Sequence, residues 1–425
     1  MHLDTIFMKN HHFFILGVTF LLFSNSASAQ KIKDEEIKFT FHQLPSKPLS
    51  ATIKNYQSFV IAAYEAKNEE LRKDFVVRQT AETARVAEEE RTYPVRQKEV
   101  QDRFDKDMVE YKKLDGTDKL AERMITGNAP KKPVFYELSK PYYSEPTLPK
   151  YQTTYDYKVL ADTYIKLEGF DNLTENAVKI SVTLYGFDFT EPRVTSQVVN
   201  VIQKGQTQNK TVFSLEYSYR HPMSVKVEAP DGTVLLSNTP QKLNSYTVFK
   251  SGTSEKAPTY NRDLLVKDVE QKILQKNLTY IDSLVNDLFG FASIKRTVEI
   301  NYVKGDDPEF ADLKQAFNEF SSHVAQLGNN EKEGLESLKS PIGIWEKALN
   351  ERKAGDKKAR INDDVALALM INLLEGYYLT RDTEKLNALI QQLNKEDLGK
   401  TERKRKEGYD FLLADLKKRL AAIPK

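Results

Sequence analysis

Three histidines set the limit on the chemistry this chain can do. Of six in the sequence, only His42, His221 and His323 lie beyond residue 12. They are widely separated, and no His-x-x-x-His or His-Glu-x-x-His spacing sets two imidazoles on one helix face for zinc. A serine nucleophile would need a tight Gly-x-Ser-x-Gly turn, which is absent. There is no phosphate-binding glycine loop and no dinucleotide fingerprint. The chain has no cysteine, which removes disulfides, thiolate metal sites, cysteine nucleophiles and lipid attachment through sulfur. Paired carboxylates leave no local signature, and Asp171, Glu175, Asp188, Glu191, Asp306 and Asp307 are the loop candidates. Asp306-Asp307 before Pro308 reads as a helix cap. Gly169-Phe170-Asp171-Asn172 lacks the alternating oxygens of a calcium loop and reads as a polar turn. The expectation is a protein that is not an enzyme and holds no cofactor or metal.

The N-terminus carries the most specific signal. Phe13 to Phe23 (FFILGVTFLLF) is an uncharged apolar run, and Ala27-Ser28-Ala29 supplies the small-x-small pattern that a signal peptidase requires. The run is about half of the ~20 residues that span a bilayer. The sequence thus predicts a signal peptide over 1–29, cleavage before Gln30, and no integral span afterwards. Met8-Lys9 offers a better basic start than Met1. Export implies the periplasm or cell envelope, with an extracellular location open. Without cysteines the mature chain must hold together through its core.

Behind the leader, Ile37, Phe39 and Phe41 alternate with polar residues, and Tyr56 to Ala62 continues in strand-like composition. Residues 30–64 are therefore expected to supply strands to a β domain. Residues 65–126 are dense in Glu, Lys, Arg and Ala, broken by Pro94 and Gly116. They predict a charged helical insertion of two or three helices, either a partner-binding arm or a solvated hairpin. Residues 127–157 form a Pro/Tyr-rich connector with Pro130, Pro133, Pro141, Pro146 and Pro149, favouring extended backbone. Its tyrosines Tyr136, Tyr142, Tyr143, Tyr151 and Tyr155 could stack on a sugar or a peptide, or lie against a domain surface.

From 158 to 255 period-2 alternation dominates, as in Val178, Ile180, Val182 and Leu184, and Pro230-Asp231-Gly232 marks a hairpin turn. Six or seven such segments predict an antiparallel β-sandwich. Residues 259–425 turn helical, with one strand-like interruption at Val298, Ile300 and Tyr302. The overall expectation is an α+β protein: a β-sandwich with a charged helical insertion, then an α-helical repeat-like domain.

Composition narrows the partners. Lys and Arg number 63 against 61 Asp and Glu, so the basic excess that nucleic acid demands is missing. From Asn362 to about Leu393 the sequence resembles one tetratricopeptide-type hairpin. Leu373 and Tyr377 stand four apart, Arg381-Asp382 fills the turn, and Ile390 and Leu393 fall on the second helix. Leu374 and Leu386 are larger than the residues such a repeat usually has there. Trp345 with Ala348-Leu349 is similar to part of a degenerate preceding unit. With its leader and β segment, the layout resembles a family of exported Bacteroidota proteins for which no activity is known. That resemblance implies an envelope location. On this reading the chain is an interaction or scaffold component meeting an unidentified envelope protein, with Trp345, Tyr377 and Tyr378 as contact candidates. The alternative is glycan binding or weak carbohydrate activity, suggested by 21 tyrosines and a sandwich scaffold.

Overall fold

The computed structural model describes residues 32–128, 130–203 and 205–423, so the expected signal peptide at 1–29 lies outside the described residues. In chain order the elements are β1 (Ile32–His42), β2 (Asn55–Ala62), α1 (Glu65–Lys113), α2 (Gly116–Thr126), α3 (Tyr157–Tyr164), β3 (Ala177–Leu184), β4 (Asp188–Phe189), β5 (Arg193–Gln203) and β6 (Gln206–Arg220). Next come β7 (Met223–Glu228), β8 (Val234–Asn238), α4 (Gln241–Asn244), β9 (Thr247–Lys250), α5 (Arg262–Leu288) and β10 (Ser293–Val303). A 3-10 turn at Pro308–Phe310 leads into α6 (Ala311–Gln326), α7 (Glu331–Ser337), α8 (Lys339–Leu349), α9 (Asp363–Leu379), α10 (Thr383–Leu393) and α11 (Lys400–Ala422). The protein is α+β. It divides into two compact units: an inserted unit, Leu49–Gly290, and a flanking unit made from the chain up to Pro48 and from Phe291 onward.

The flanking unit is closed by one ribbon. β1 and β10 pair antiparallel from Ile32↔Val303 to His42↔Ser293. The alternation that makes β1 a strand turns Phe39 and Phe41 inward, and β10 adds Val298 and Ile300 to the same core. α9 is apolar all round, the pattern of a helix covered on every side, and its residues from Val365 to Leu379 are almost all buried. Asn362 caps it by accepting from Val365 N at 3.0 Å. Arg381 takes a positive φ of 59° in the turn to α10.

The ribbon corrects an expectation. β1 does not join the β domain but pairs with a strand some 250 residues later, because Phe39 and Phe41 find their apolar partners among the C-terminal helices. The expected boundary at 259 moves as well. α5 packs Leu274, Leu278, Ile281 and Val285 into the core of the inserted unit, so the helical unit resumes at 291.

In the inserted unit the first sheet has the order β2-β3-β7-β8. Val178, Ile180, Val182 and Leu184 of β3 are fully buried, and so are Met223 and Val227 of β7. They face α5 and the short α3. Where a sandwich would set a second sheet, this core has helices. The pairing is also not antiparallel throughout, since β2 and β3 run parallel. A parallel pair requires a long crossover, which is the stretch containing α1, α2 and α3. The second sheet, β4-β6-β5 with β9 on β6, is built on the long β5–β6 hairpin. The predicted turn joins β7 to β8, with Gly232 at φ 85° and Asp231 accepting from Thr233 N at 2.9 Å.

The ribbon gives the first prediction. Phe41 meets Tyr378 edge to face, with ring centroids 6.0 Å apart. Phe41→Ala should destabilise the flanking unit by about 3–5 kcal/mol, the usual cost of emptying an aromatic core site. Urea unfolding followed at Trp345 reads it, and an unchanged midpoint would contradict the packing.

Candidate interaction surface

α1 is 49 residues long, and of its described residues Asn68 alone is buried. At 1.5 Å per residue it extends about 74 Å. It is helical because Ala, Glu, Gln, Lys and Arg dominate its sequence and because ion pairs run along its surface. Arg85 bridges Glu82 and Glu89 at 2.6 and 2.7 Å, and Arg91 meets Glu88 at 2.8 Å. Pro94 lies inside the helix without ending it. The expectation of breaks at Pro94 and Gly116 thus resolves into one long helix and the short α2.

The Pro/Tyr connector returns along this helix. Arg72 lies over the Tyr151 ring at 5.6 Å, Arg78 donates to Thr147 O at 3.5 Å, and Arg85 to Tyr142 O at 3.0 Å. Farther out Tyr93 donates to Leu138 O at 2.9 Å, and the Phe104 and Phe135 rings meet at 5.4 Å. The sequence positions run in opposite directions, and the spacings agree. From Arg72 to Phe104 the helix rises about 48 Å, and from Tyr151 to Phe135 a polyproline II strand rises about 50 Å. The arm is therefore a hairpin of one α-helix and one extended strap. At its root Asn68 grips the strap backbone, accepting from Gln152 N at 3.0 Å and donating to Gln152 O at 2.9 Å. Midway, Ser144 N donates to Glu82, whose carboxyl is held well below the usual range first by Arg85 and then by this amide.

The arm exposes what a soluble surface usually hides. Asp115 caps α2 with a reciprocal box to Asp118, and Gly127 ends it at φ 77°. Between them Leu120, Met124 and Ile125 face solvent, the last two at 82% and 84% exposure. Basic residues Lys112, Lys113, Lys119, Arg123, Lys131 and Lys132 surround them in sequence. Along the strap Tyr136, Tyr142 and Tyr143 are exposed, so the connector lies on a surface without burying these rings. Tyr155, at the inner end, instead donates to Glu270 at 2.7 Å, and Thr153 donates to the other Glu270 oxygen at 2.9 Å.

The residues expected to meet a partner are elsewhere. Trp345 is buried against Phe320 with ring centroids 5.1 Å apart. Tyr377 is buried and donates to Glu346 at 2.8 Å. Tyr378 is buried between Phe41 and Arg296. All three are core residues: Tyr377 and Tyr378 lie on α9, which is covered on every side, and Trp345 lies on α8 within the same core. Sequence reasoning missed the tip. Its signal is the capped, amphipathic eleven-residue α2 between Asp115 and Gly127, with nothing opposite it to cover Leu120 and Met124.

The candidate catalytic carboxylates do not converge. Asp188 pairs with Arg220 at 2.6 Å, Glu191 with Arg262 at 2.9 Å, and Asp306 with Lys314. Asp307 caps the 3-10 turn through Glu309 N at 3.0 Å, as expected. The Asp171 and Glu175 backbones bond β2, through Tyr56 N and the Asn55 side chain. Among the described residues no group of three or more His, Asp or Glu side chains could hold a metal. The most buried ionic cluster is structural in form. Arg296 of β10 grips Glu375 of α9 with two bonds of 2.7 and 2.6 Å, and Tyr409 donates to the same carboxylate. Burial opposes the Arg296 charge, but the adjacent Glu375 carboxylate overrides it and keeps the guanidinium strongly basic.

His221 is the exceptional histidine. It is buried in the link from β6 to β7, and neither ring nitrogen has a hydrogen-bond partner. Burial pushes its pKa down to about 4, with Asp188 opposing weakly. No family model, curated protein or solved structure matches this chain.

Two predictions follow from these geometries. Unfolded His221 takes a proton near pH 6.5, whereas the folded side chain resists until about pH 4. Its contribution to stability is complete above pH 6.5 and lost as pH falls to 4, up to about 3 kcal/mol at full development. His221→Leu should therefore flatten the fall in stability between pH 6.5 and 4, and parallel curves for the two proteins would refute it. Combining Arg78→Ala, Arg85→Ala and Tyr93→Phe removes three strap contacts, two exposed and one half-buried, each a single hydrogen bond of modest net worth. Chymotryptic cleavage at Tyr142-Tyr143 should accelerate several-fold while the urea midpoint of the core stays unchanged.

Proposed function

We propose that this chain is a non-enzymatic, exported interaction component of the bacterial envelope, and that the hairpin arm is its partner-binding element. The observation that carries the reading is the arm itself: about 74 Å of helix and strap with no core of its own, presenting Leu120, Met124, Ile125 and three strap tyrosines to solvent. Exposed aromatic and methionine side chains are the residues enriched at interface centres, and clustered exposed apolar groups mark interaction sites. Export comes from the leader, and the repeat-like helices α9 and α10 are read as a supporting scaffold. The glycan reading draws on a groove of about 460 Å³ that includes Tyr155, Tyr164 and Glu270, yet both Glu270 oxygens are already engaged by Tyr155 and Thr153.

The contact between Asn68 and Gln152 makes the test clean, because residues 73–148 can be replaced by a short Gly-Ser loop across a root that is already joined. A photocrosslinking residue at Met124 or Tyr142 of the mature protein should yield one reproducible envelope adduct. The loop-replaced protein, tagged and treated beside the full chain with a general amine-reactive crosslinker, should keep its unfolding midpoint and fail to recover that partner. Adducts from neither position, or the same partner captured without the arm, would refute the assignment.

A further inference from the structure

β2 ends its sheet, so one of its edges faces no strand. Hydrogen bonds at its two ends fix which backbone groups lie there. Ala63 N donates to Leu184 O of β3 at 2.9 Å, so odd-numbered residues point toward β3. On the other side Tyr56 N donates to Asp171 O at 2.9 Å, and Asp171 N donates to Lys54 O at 3.0 Å. Even-numbered residues therefore point outward, and by strand alternation the N–H and C=O of Ser58 and Val60 do so too. Among the described residues these groups have no backbone partner on that edge. Asp171 occupies the first step of a strand lane, in a parallel bridge with Asn55, and the chain then turns away through Leu173. Among the described residues the next two steps are empty.

The empty lane is walled. A cavity of about 550 Å³ runs beside residues 57–60 of β2, bounded by Tyr157, Ala161 and Asp162 of α3 and by residues 172–174. The strand sequence, NYQSFVIA, contains no charge and no proline. Those are the devices that normally blunt an exposed edge. On the face turned from the core, Phe59 and Ile61 are exposed and lack cross-strand neighbours on the outer side.

We infer that this edge accepts a short extended segment of another protein as an added strand parallel to β2. Main-chain bonds to Ser58 and Val60 supply the affinity, as in other strand-addition sites. β-branched or aromatic side chains level with Phe59 and Ile61 supply the selectivity through cross-strand packing. The recessed position favours a slender peptide over a second copy of β2, whose own α3 and 172–174 loop would meet these walls. The inference rests on the interaction reading above but uses a different surface from the arm.

A phage-displayed heptapeptide library selected on the mature protein tests it. Enriched peptides should alternate apolar residues, and a synthetic copy should slow hydrogen exchange across residues 56–62 at least tenfold. Ser58→Pro removes an outward donor without breaking a bond to β3, and should weaken binding at least tenfold, as should N-methylation of alternate peptide amides. If Ser58→Pro does not fold, Phe59→Lys on the exposed face serves instead. Lack of enrichment, unchanged exchange, or full binding by both variants overturns the inference. Protection of 56–62 in the free protein together with concentration-dependent dimers would assign the lane to a second copy and overturn it equally. The loop-replaced protein should still bind the peptide, so failure of the arm and failure of this groove are read separately.

Discussion

Extended backbone that has no strand neighbour must still satisfy its N–H and C=O groups, and this constraint organises the whole chain. Three buried asparagines meet it in the same way. Asn372 of α9 accepts from Asn301 N and donates to Asn301 O, both at 2.8 Å, covering the outer edge of β10. Asn286 of α5 accepts from Glu168 N and donates to Lys166 O, again at 2.8 Å. Asn68 of α1 does the same for Gln152 at the root of the strap. A side-chain amide presents one donor and one acceptor with strand-like spacing, so each helix supplies a piece of the missing neighbour. Farther along the strap, Arg78, Arg85 and Tyr93 supply the donors one carbonyl at a time. The open groups of Ser58 and Val60 differ from these covered edges in facing a walled cavity where a covering amide could have stood.

The second constraint is topological. The flanking unit needs both of its segments, because β1 brings Phe39 and Phe41 to a core otherwise built from residues beyond 291. Closing that ribbon brings together residues about 250 positions apart, a non-local contact of the kind that slows folding. The inserted unit carries its own core of β2, β3, β7, α3 and α5. The two cores thus have different dependencies: one is continuous in sequence, and the other waits for its first and last parts to meet.

Local structure was largely legible in the sequence, and partnership was not. Alternation identified β1, β3, β7 and the strand that became β10, and the turn at Pro230-Asp231-Gly232 forms as its residues dictate. The helical hairpin expected from Asn362 to about Leu393 lies close to the bounds of α9 and α10. Alternation states only that one face is apolar, so Phe39 and Phe41 could not announce that their neighbours lie past residue 291. The parallel pairing of β2 with β3 was equally hidden, because the crossover that permits it is the insertion itself. Pro94 misled in the other direction, since charged pairs and the strap sustain the helix across the bond it removes. The site was least legible. Trp345, Tyr377 and Tyr378 have the composition of contact residues, but exposure depends on what α8 and α9 pack against, which no local pattern contains. Leu120 and Met124 carry a helical apolar stripe that would normally be assigned a covering neighbour.

The arm shows why such residues can persist outside. Its helix is held by intrinsic propensity and by ion pairs three and four residues apart, each worth a few tenths of a kcal/mol. Its strap is held by side-chain donors from Arg78, Arg85 and Tyr93 to strap carbonyls. None of these interactions uses the side chains of Leu120, Met124, Ile125, Tyr136 or Tyr142. A structure stabilised this way has low local stability, as elements that meet partners commonly do. It also leaves its outward side chains free of any duty to its own fold. In the cores the reverse holds: Trp345 and Tyr378 are fixed by packing, and any change there is felt first as lost stability. The chain therefore separates its demands in space, with folding carried by two helix-covered cores and the exposed apolar side chains left on the one long element that has no core to protect.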